Sequence, residues 1–156
     1  MLSNLLLASF AVTITVILHF SGLIGLLSML RYQAQDIKAH KTLPGQFALV
    51  IVVVLLIFVI HAVEIWVYAL MFLAIGAISN FGEALYFSTV TFASLGYGDI
   101  VLSKDWRLFG AIEAANGLIL FGWSTAFLIS LTRQLRILEH DWVGRRRTKS
   151  SSDKSA

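Results

Sequence analysis

The first thirty residues of the chain contain no aspartate, glutamate, lysine or arginine. A bilayer core about 30 Å thick needs roughly 20 apolar residues in a helix, and residues 5–30 meet that length. A secretory signal peptide is the alternative interpretation. However, no basic residue precedes this run, and the run is longer than the apolar part of such a signal. We therefore predict a first membrane span here.

Two more apolar runs, residues 47–78 and 108–131, are also long enough to cross a bilayer. Hydrophobic residues make up 58% of the chain and charged residues 13%, against about 45–50% and about 25% in soluble domains. This composition excludes a soluble enzyme and a disordered chain. We predict one all-α membrane domain. Its parts are span one over 1–30, a cytoplasmic linker over 31–45, an outer helix over 46–78, a loop region over 79–106, an inner helix over 107–132 and a basic cytoplasmic tail over 133–156.

The loop region between the second and third spans is too long for a tight turn. Residues 83–94 predict a short helix, with Ser79 or Asn80 as its N-cap. About 11 residues are too few to cross the bilayer, so we predict a re-entrant helix. Irregular backbone at membrane depth is tolerated only where protein buries it or where it lines water.

The basic residues predict how the chain is oriented. Only Lys104 and Arg107 lie between the second and third spans, whereas ten other lysines and arginines lie in the linker and the tail. The positive-inside rule therefore places the N-terminus outside and the C-terminus in the cytoplasm. Since the basic residues flank spans, they favour contact with anionic lipid over binding of nucleic acid.

The string Thr91-Phe92-Ala93-Ser94-Leu95-Gly96-Tyr97-Gly98-Asp99 faces outward in this topology. Glycines on both sides of a tyrosine allow backbone conformations that other residues disfavour. In such a strand consecutive carbonyls can point to one side, and a ring of carbonyls can replace the hydration shell of a cation. The string therefore predicts a selectivity filter.

The filter string resembles the signature of tetrameric potassium channels, which is usually Thr-Val-Gly-Tyr-Gly-Asp. A short helix before it and a span on each side strengthen the resemblance. It implies a homotetramer in a lipid bilayer, with the re-entrant helix as pore helix. The implied filter residues are Ser94, Leu95, Gly96, Tyr97, Gly98 and Asp99, with potassium bound at Ser94, Leu95, Gly96 and Tyr97.

The third span is similar to the inner helix of small bacterial potassium channels. The shared positions are Arg107, Gly117, Phe121, Gly122 and Thr125. The resemblance implies that Phe121 and Thr125 line a cavity and that Gly117 is a gating hinge. Helix packing is an equally open interpretation of this glycine. The first span has no counterpart in two-helix channels, so the chain looks like a three-span proteobacterial-type relative.

Three positions depart from the family pattern. Ser94 stands where the family usually has threonine, and Leu95 stands where it has valine. Val90 occupies a pore-helix position where some relatives carry a glutamate that partners the filter aspartate. Asp99 therefore needs another partner, and the resemblance suggests Tyr86.

Four polar residues inside the apolar runs predict a buried polar network, because such residues usually face protein or water. We expect Glu64 and Glu113 to bond to the pore helix at Ser88, Thr89 or Thr91, and proton sensing is the alternative. A metal site at His61 and Glu64 is disfavoured, since outer helices lie at the rim of such tetramers. His19 is expected to be a packed or hydrogen-bonded residue. The network comprises His61, Glu64, Glu113 and Asn116.

Together these features predict a potassium-selective ion channel that is not an enzyme and needs no cofactor. The first span has no ladder of arginines, so no usual voltage sensor is expected. The alternatives are a non-selective cation channel and a non-conducting membrane sensor subunit. A metal-dependent membrane enzyme is disfavoured, since the four histidines are widely scattered.

Overall fold

The computed structural model describes residues 2–36 and 43–134, which form four helices and no strand. The all-helical prediction is confirmed for this part of the chain. Residues 37–42 of the predicted linker, with Lys38 and Lys41, and residues 135–156 of the predicted tail lie outside the described residues. The helices are α1 (Leu2–Asp36), α2 (Leu43–Ala74), α3 (Phe81–Phe92) and α4 (Arg107–Gln134).

Three of the four helices are long and apolar enough to cross a membrane: α1, α2 and α4. Their surfaces carry large apolar side chains that water would solvate poorly. Phe10 is 59% exposed, Phe58 69% and Ile119 65%. Exposed apolar surface on this scale is typical of a chain that lies in a bilayer.

The first two helices differ in length from the predicted spans. α1 continues past residue 30 to Asp36, because no glycine or proline interrupts the polar stretch. α2 ends at Ala74 rather than at 78, because Gly76 adopts the left-handed conformation with a φ of 69°. The amides of Gly76 and Ala77 donate to the carbonyls of Leu73 and Phe72, which is the Schellman pattern of a helix end.

The short helix α3 begins and ends two residues earlier than predicted. Its N-cap is Asn80, whose side chain accepts a hydrogen bond of 3.2 Å from the amide of Glu83. The helix therefore begins at Phe81. It stops at Phe92 because Ser94 has a φ of 58°, which a continuing helix does not allow.

The helix α2 packs antiparallel to α1 and α4. α1 contacts α2 and α4, and α3 contacts the same two helices. One apolar cluster joins Tyr68, Phe72 and Phe109 near α3, and a second joins Leu30, Val53 and Leu131 at the other end. These memberships show that α2 runs opposite to α1 and α4. Buried polar residues lie between the two clusters, at positions 15 and 19 of α1, 61 and 64 of α2, and 116 and 124 of α4.

Candidate functional site

The end of α3 sets the backbone of the glycine-rich string. The amide of Leu95 donates to the carbonyl of Val90, and the amide of Ser94 donates to the carbonyl of Thr91. This is again the Schellman pattern, with Ser94 at the left-handed position that glycine usually occupies. A non-glycine residue in that conformation costs about 1–2 kcal/mol, so the packing around it must hold it there.

The sign of φ alternates along the string. It is positive at Ser94 (58°), Gly96 (57°) and Gly98 (79°), but not at Leu95 or Tyr97. Conformations of opposite hand at successive residues undo the usual reversal of carbonyl direction along a strand. This is the backbone pattern that lets consecutive carbonyl oxygens point to one side. Only glycine adopts positive φ without steric cost, which explains two of the three positions.

Residues 94–99 are all exposed within a single chain. The side chain of Leu95 is 55% exposed and that of Tyr97 is 66% exposed. The Ser94 hydroxyl lies 3.3 Å from the carbonyl of Ala114, to which it donates. The string is therefore anchored to α4 at its first residue, and the rest of it lies on the surface of the chain.

A hydrogen bond ties α3 to the end of the string. The Tyr86 hydroxyl donates to Asp99 Oδ2 at 2.7 Å, and this is the partner that the family resemblance suggested. The backbone amide of Ile100 donates to the other carboxylate oxygen at 3.1 Å. The Tyr86 hydrogen bond, followed by the backbone hydrogen bonds, holds the pKa of Asp99 below its usual value. The same bond raises the pKa of Tyr86.

The predicted hinge glycine packs directly on α3. A Cβ at Gly117 would lie 2.1 Å from the carbonyl oxygen of Phe92, a distance that no real contact allows. Gly117 therefore permits close approach of α4 to the end of α3, and a role as a hinge stays a prediction. Further along α4, Phe121 is half-buried and Thr125 is exposed, with its hydroxyl donating to the Phe121 carbonyl at 2.8 Å.

Two of the predicted network residues, both on α4, form separate contacts. Glu113 accepts a hydrogen bond of 2.5 Å from Ser88 of α3, as expected for this carboxylate, while its Oε2 has no partner. The amide of Asn116 donates to Thr15 at 2.8 Å and to Tyr68 at 3.1 Å. Asn116 thus joins three helices.

The other predicted carboxylate, Glu64, does not bond to α3, although the sequence predicted such a bond. Its two oxygens lie 2.9 Å from Nδ1 of His19 and 2.9 Å from Nδ1 of His61. Ser124 of α4 contacts the Nε2 atoms of both rings, at 3.4 Å for His19 and 3.1 Å for His61. His19, His61 and Glu64 offer metal-ligand atoms that all lie within 4.8 Å of one another.

Sequence reasoning left four partners out of these networks, although each is a polar residue in an apolar run and His19 was expected to be packed or hydrogen-bonded. One signal was available on α1, where two of them are four residues apart and share a helix face. These partners are Thr15, His19, Tyr68 and Ser124.

Comparison with known proteins gives one match. Residues 48–134, more than half of the chain, match the sequence profile of a family described as Ion channel. The matched range includes α3, the glycine-rich string and α4. No curated protein and no solved structure matches the chain.

Proposed function

The chain belongs to this ion-channel family, and from that premise we propose that it forms a potassium-selective channel lined by residues 94–99. The observation that carries the proposal is the alternation of φ along the Gly-Tyr-Gly string. Carbonyls aligned in this way are the ligands that potassium filters use in place of water. The proposal makes potassium the permeant ion rather than a cofactor.

The proposed pore requires four copies of the chain. One chain contributes one filter strand, and a ring of carbonyls around a central axis needs several strands, so the functional unit is a homotetramer. The exposure of the whole string in the isolated chain supports this, because neighbouring copies would cover it. α3 ends at Phe92, two residues before the first filter residue, so four helix C-termini would direct negative partial charge at the ion path.

The proposed inner cavity is lined by α4. Gly122 and Thr125 are exposed in the isolated chain, and Phe121 is half-buried beside them. Arg107 begins this helix, and its Nε donates to the carbonyl of Leu102 at 3.2 Å. The small size of the chain and its resemblance to bacterial potassium channels support a cell inner (plasma) membrane as the proposed location. The proposed orientation has the string outside, because most basic residues flank the opposite side.

The test is the reversal potential of purified protein in planar bilayers, with potassium on one side and sodium on the other. A reversal near the potassium equilibrium potential is expected. A robust current that reverses near zero would overturn potassium selectivity and favour a non-selective cation channel. Tetramers that pass no current under any condition would overturn conduction and favour a sensor subunit.

Two glycine variants make a matched pair for this recording. A Cβ at Gly96 or at Gly25 would meet nothing within 4 Å, but only Gly96 has a positive φ. Gly96→Ala should therefore abolish potassium selectivity or current, because alanine disfavours the backbone conformation at this position. Gly25→Ala should leave both unchanged. Equal behaviour of the two variants would overturn the role of residues 94–99.

A further inference from the structure

Four buried side chains from three helices meet between the two apolar clusters of the bundle. His19 comes from α1, His61 and Glu64 from α2, and Ser124 from α4, and none is more than 4% exposed. The rings of His19 and His61 have their centroids 5.2 Å apart. The Glu64 carboxylate lies against the Nδ1 atoms of both rings. No residue of the proposed filter, residues 94–99, belongs to this cluster, and the His61 ring lies 5.9 Å from the Phe92 ring at the end of α3, between centroids.

The Glu64 carboxylate has no ordinary counter-charge. Among the described residues, its only ion-pair partners are the two histidines, and no lysine or arginine contacts it. A buried carboxylate without compensation is costly, since the surrounding medium cannot solvate it. A protonated imidazole or a bound cation would balance this charge, and protonation of the carboxylate would remove it.

We propose that His19, His61 and Glu64 form an intramembrane binding site for a divalent transition metal of the zinc class. Two imidazole nitrogens and one carboxylate are an established donor set for zinc, and ligands of this kind also suit its first-row neighbours. The donors come from one chain, so the site does not need a second copy. This inference is independent of the proposed potassium selectivity.

Hydrogen-bond accounting supports the same donor atoms. Without a metal and with Glu64 ionised, both Nδ1 atoms donate to Glu64, and the Ser124 hydroxyl donates to one Nε2 and accepts from the other. That arrangement needs one extra proton on the histidine pair. With a metal on the two Nδ1 atoms, both Nε2–H groups donate to the two lone pairs of Ser124 instead.

Ser124 therefore acts as a positioning residue for both ligands. Metal-ligating histidines almost always donate their other ring N–H to an oxygen, and this contact fixes the tautomer and the ring orientation. Aromatic side chains of α4 pack against both histidines. The ring centroid of Phe121 lies 4.5 Å from that of His61, and the ring centroid of Trp123 lies 5.5 Å from that of His19. Metal binding would thus join α1 and α2 to the helix assigned to the inner cavity.

The experiment uses full-length protein produced in zinc-supplemented cells and purified with a tag that contains no histidine. Elemental analysis should find about one zinc ion per chain. After chelation, titration with Co²⁺ should produce visible absorption bands of a tetrahedral nitrogen and oxygen site. Calorimetry in buffers of different ionisation enthalpy should show release of about one proton or more per metal.

The variants separate this cluster from adventitious binding. His19→Gln and His61→Gln keep an N–H donor for Glu64 but remove a metal ligand, so the affinity for Co²⁺ should fall far more than tenfold. Ser124→Ala should weaken binding by about 10-fold to 100-fold, as loss of a ligand's orienting partner does. The double variant His40→Ala with His140→Ala removes the two remaining histidines of the chain and should bind normally.

Three outcomes would overturn the proposal. The first is purified protein that contains no zinc and does not bind Co²⁺. The second is binding that persists unchanged in both glutamine variants. The third is binding that disappears in the His40/His140 double variant. The thermal midpoint of each metal-free variant shows that the chain is folded, so a loss of binding is not mistaken for a loss of structure.

Discussion

The Tyr86 hydroxyl donates a 2.7 Å hydrogen bond to Asp99, which joins α3 to the residue that follows the last glycine of the string. The two residues are thirteen positions apart, and both lie at the exposed edge of the chain. The bond is the main cause of the lowered pKa of Asp99. It takes the place of the glutamate partner that some relatives carry at the position of Val90.

We expect the Tyr86–Asp99 pair to set the external pH at which the proposed channel loses its current. A carboxylate whose pKa is lowered by folding stabilises the folded state above its unfolded pKa, and this contribution is lost as pH falls through the folded value. For Asp99 that loss lies below the ordinary value of 3.8. Tyr86→Phe should raise the pKa and move the acid midpoint of the current to higher external pH. Bilayer recordings over a range of external pH measure it.

Tyr32→Phe is the matched control, because Tyr32 lies on α1 and is 77% exposed. Its acid midpoint should equal that of the unaltered protein. Equal midpoints for Tyr86→Phe and the unaltered protein would show that the bond does not stabilise the conducting mouth.

Alanine substitutions at two α4 glycines should have opposite effects on stability. At Gly117 the new methyl would overlap the Phe92 carbonyl, and overpacking costs about 1–3 kcal/mol or more. At Gly122 nothing lies within 4 Å in the chain, and alanine favours a helix over glycine by about 1 kcal/mol. Unfolding in a denaturing detergent measures both. A Gly117→Ala protein as stable as Gly122→Ala would contradict the close packing.

The contact of Ser88 with Glu113 predicts that a glutamine is tolerated at position 113. The Ser88 hydroxyl also lies 3.0 Å from the carbonyl of Ile65, and it has only one hydrogen to donate. The amide of Glu113→Gln can donate to Ser88 and leave that hydrogen for Ile65. Ser88→Ala removes both contacts and should cost about 1–3 kcal/mol. The detergent-unfolding midpoint should therefore fall more for Ser88→Ala, and the reverse order would refute this interpretation.

Two threonines on α1 test the hydrogen bond that Asn116 makes between helices. Thr15 is buried and accepts the Asn116 amide at 2.8 Å, whereas Thr13 is exposed and bonds only to its own helix. Thr15→Val leaves the amide without that acceptor and should destabilise the chain by about 1–3 kcal/mol. Thr13→Val should change stability by less than about 0.5 kcal/mol. Similar losses for the two variants would show that the inter-helix bond adds nothing.

Much of the fold follows from the sequence, because length and hydropathy alone determine which segments cross a bilayer. The apolar runs predicted all three long helices, and the short helix was predicted with Asn80 as one of two possible caps but with its start two residues too late. Helix ends were less accurate, since the ends at Ala74 and Phe92 depend on single left-handed residues. Nothing in hydropathy indicates that Ser94 takes such a conformation.

The polar network was harder to predict than the spans. His61 and Glu64 are neighbours on one helix turn, so their pairing follows from spacing. His19 is 45 residues from Glu64, and helices that are apolar on every side carry no stripe to show which face packs. Pairing across helices is settled by tertiary packing, and one sequence does not contain that information.

The contact of Gly117 with Phe92 also limits which substitutions position 117 can accept during evolution. The atom that meets the added methyl is a backbone carbonyl oxygen, which every amino acid at position 92 would carry. Shortening the neighbouring side chain therefore makes no room. A suppressor screen that starts from a Gly117→Ala allele should return codons for glycine at the same site, because no compensating allele at position 92 can restore the fit.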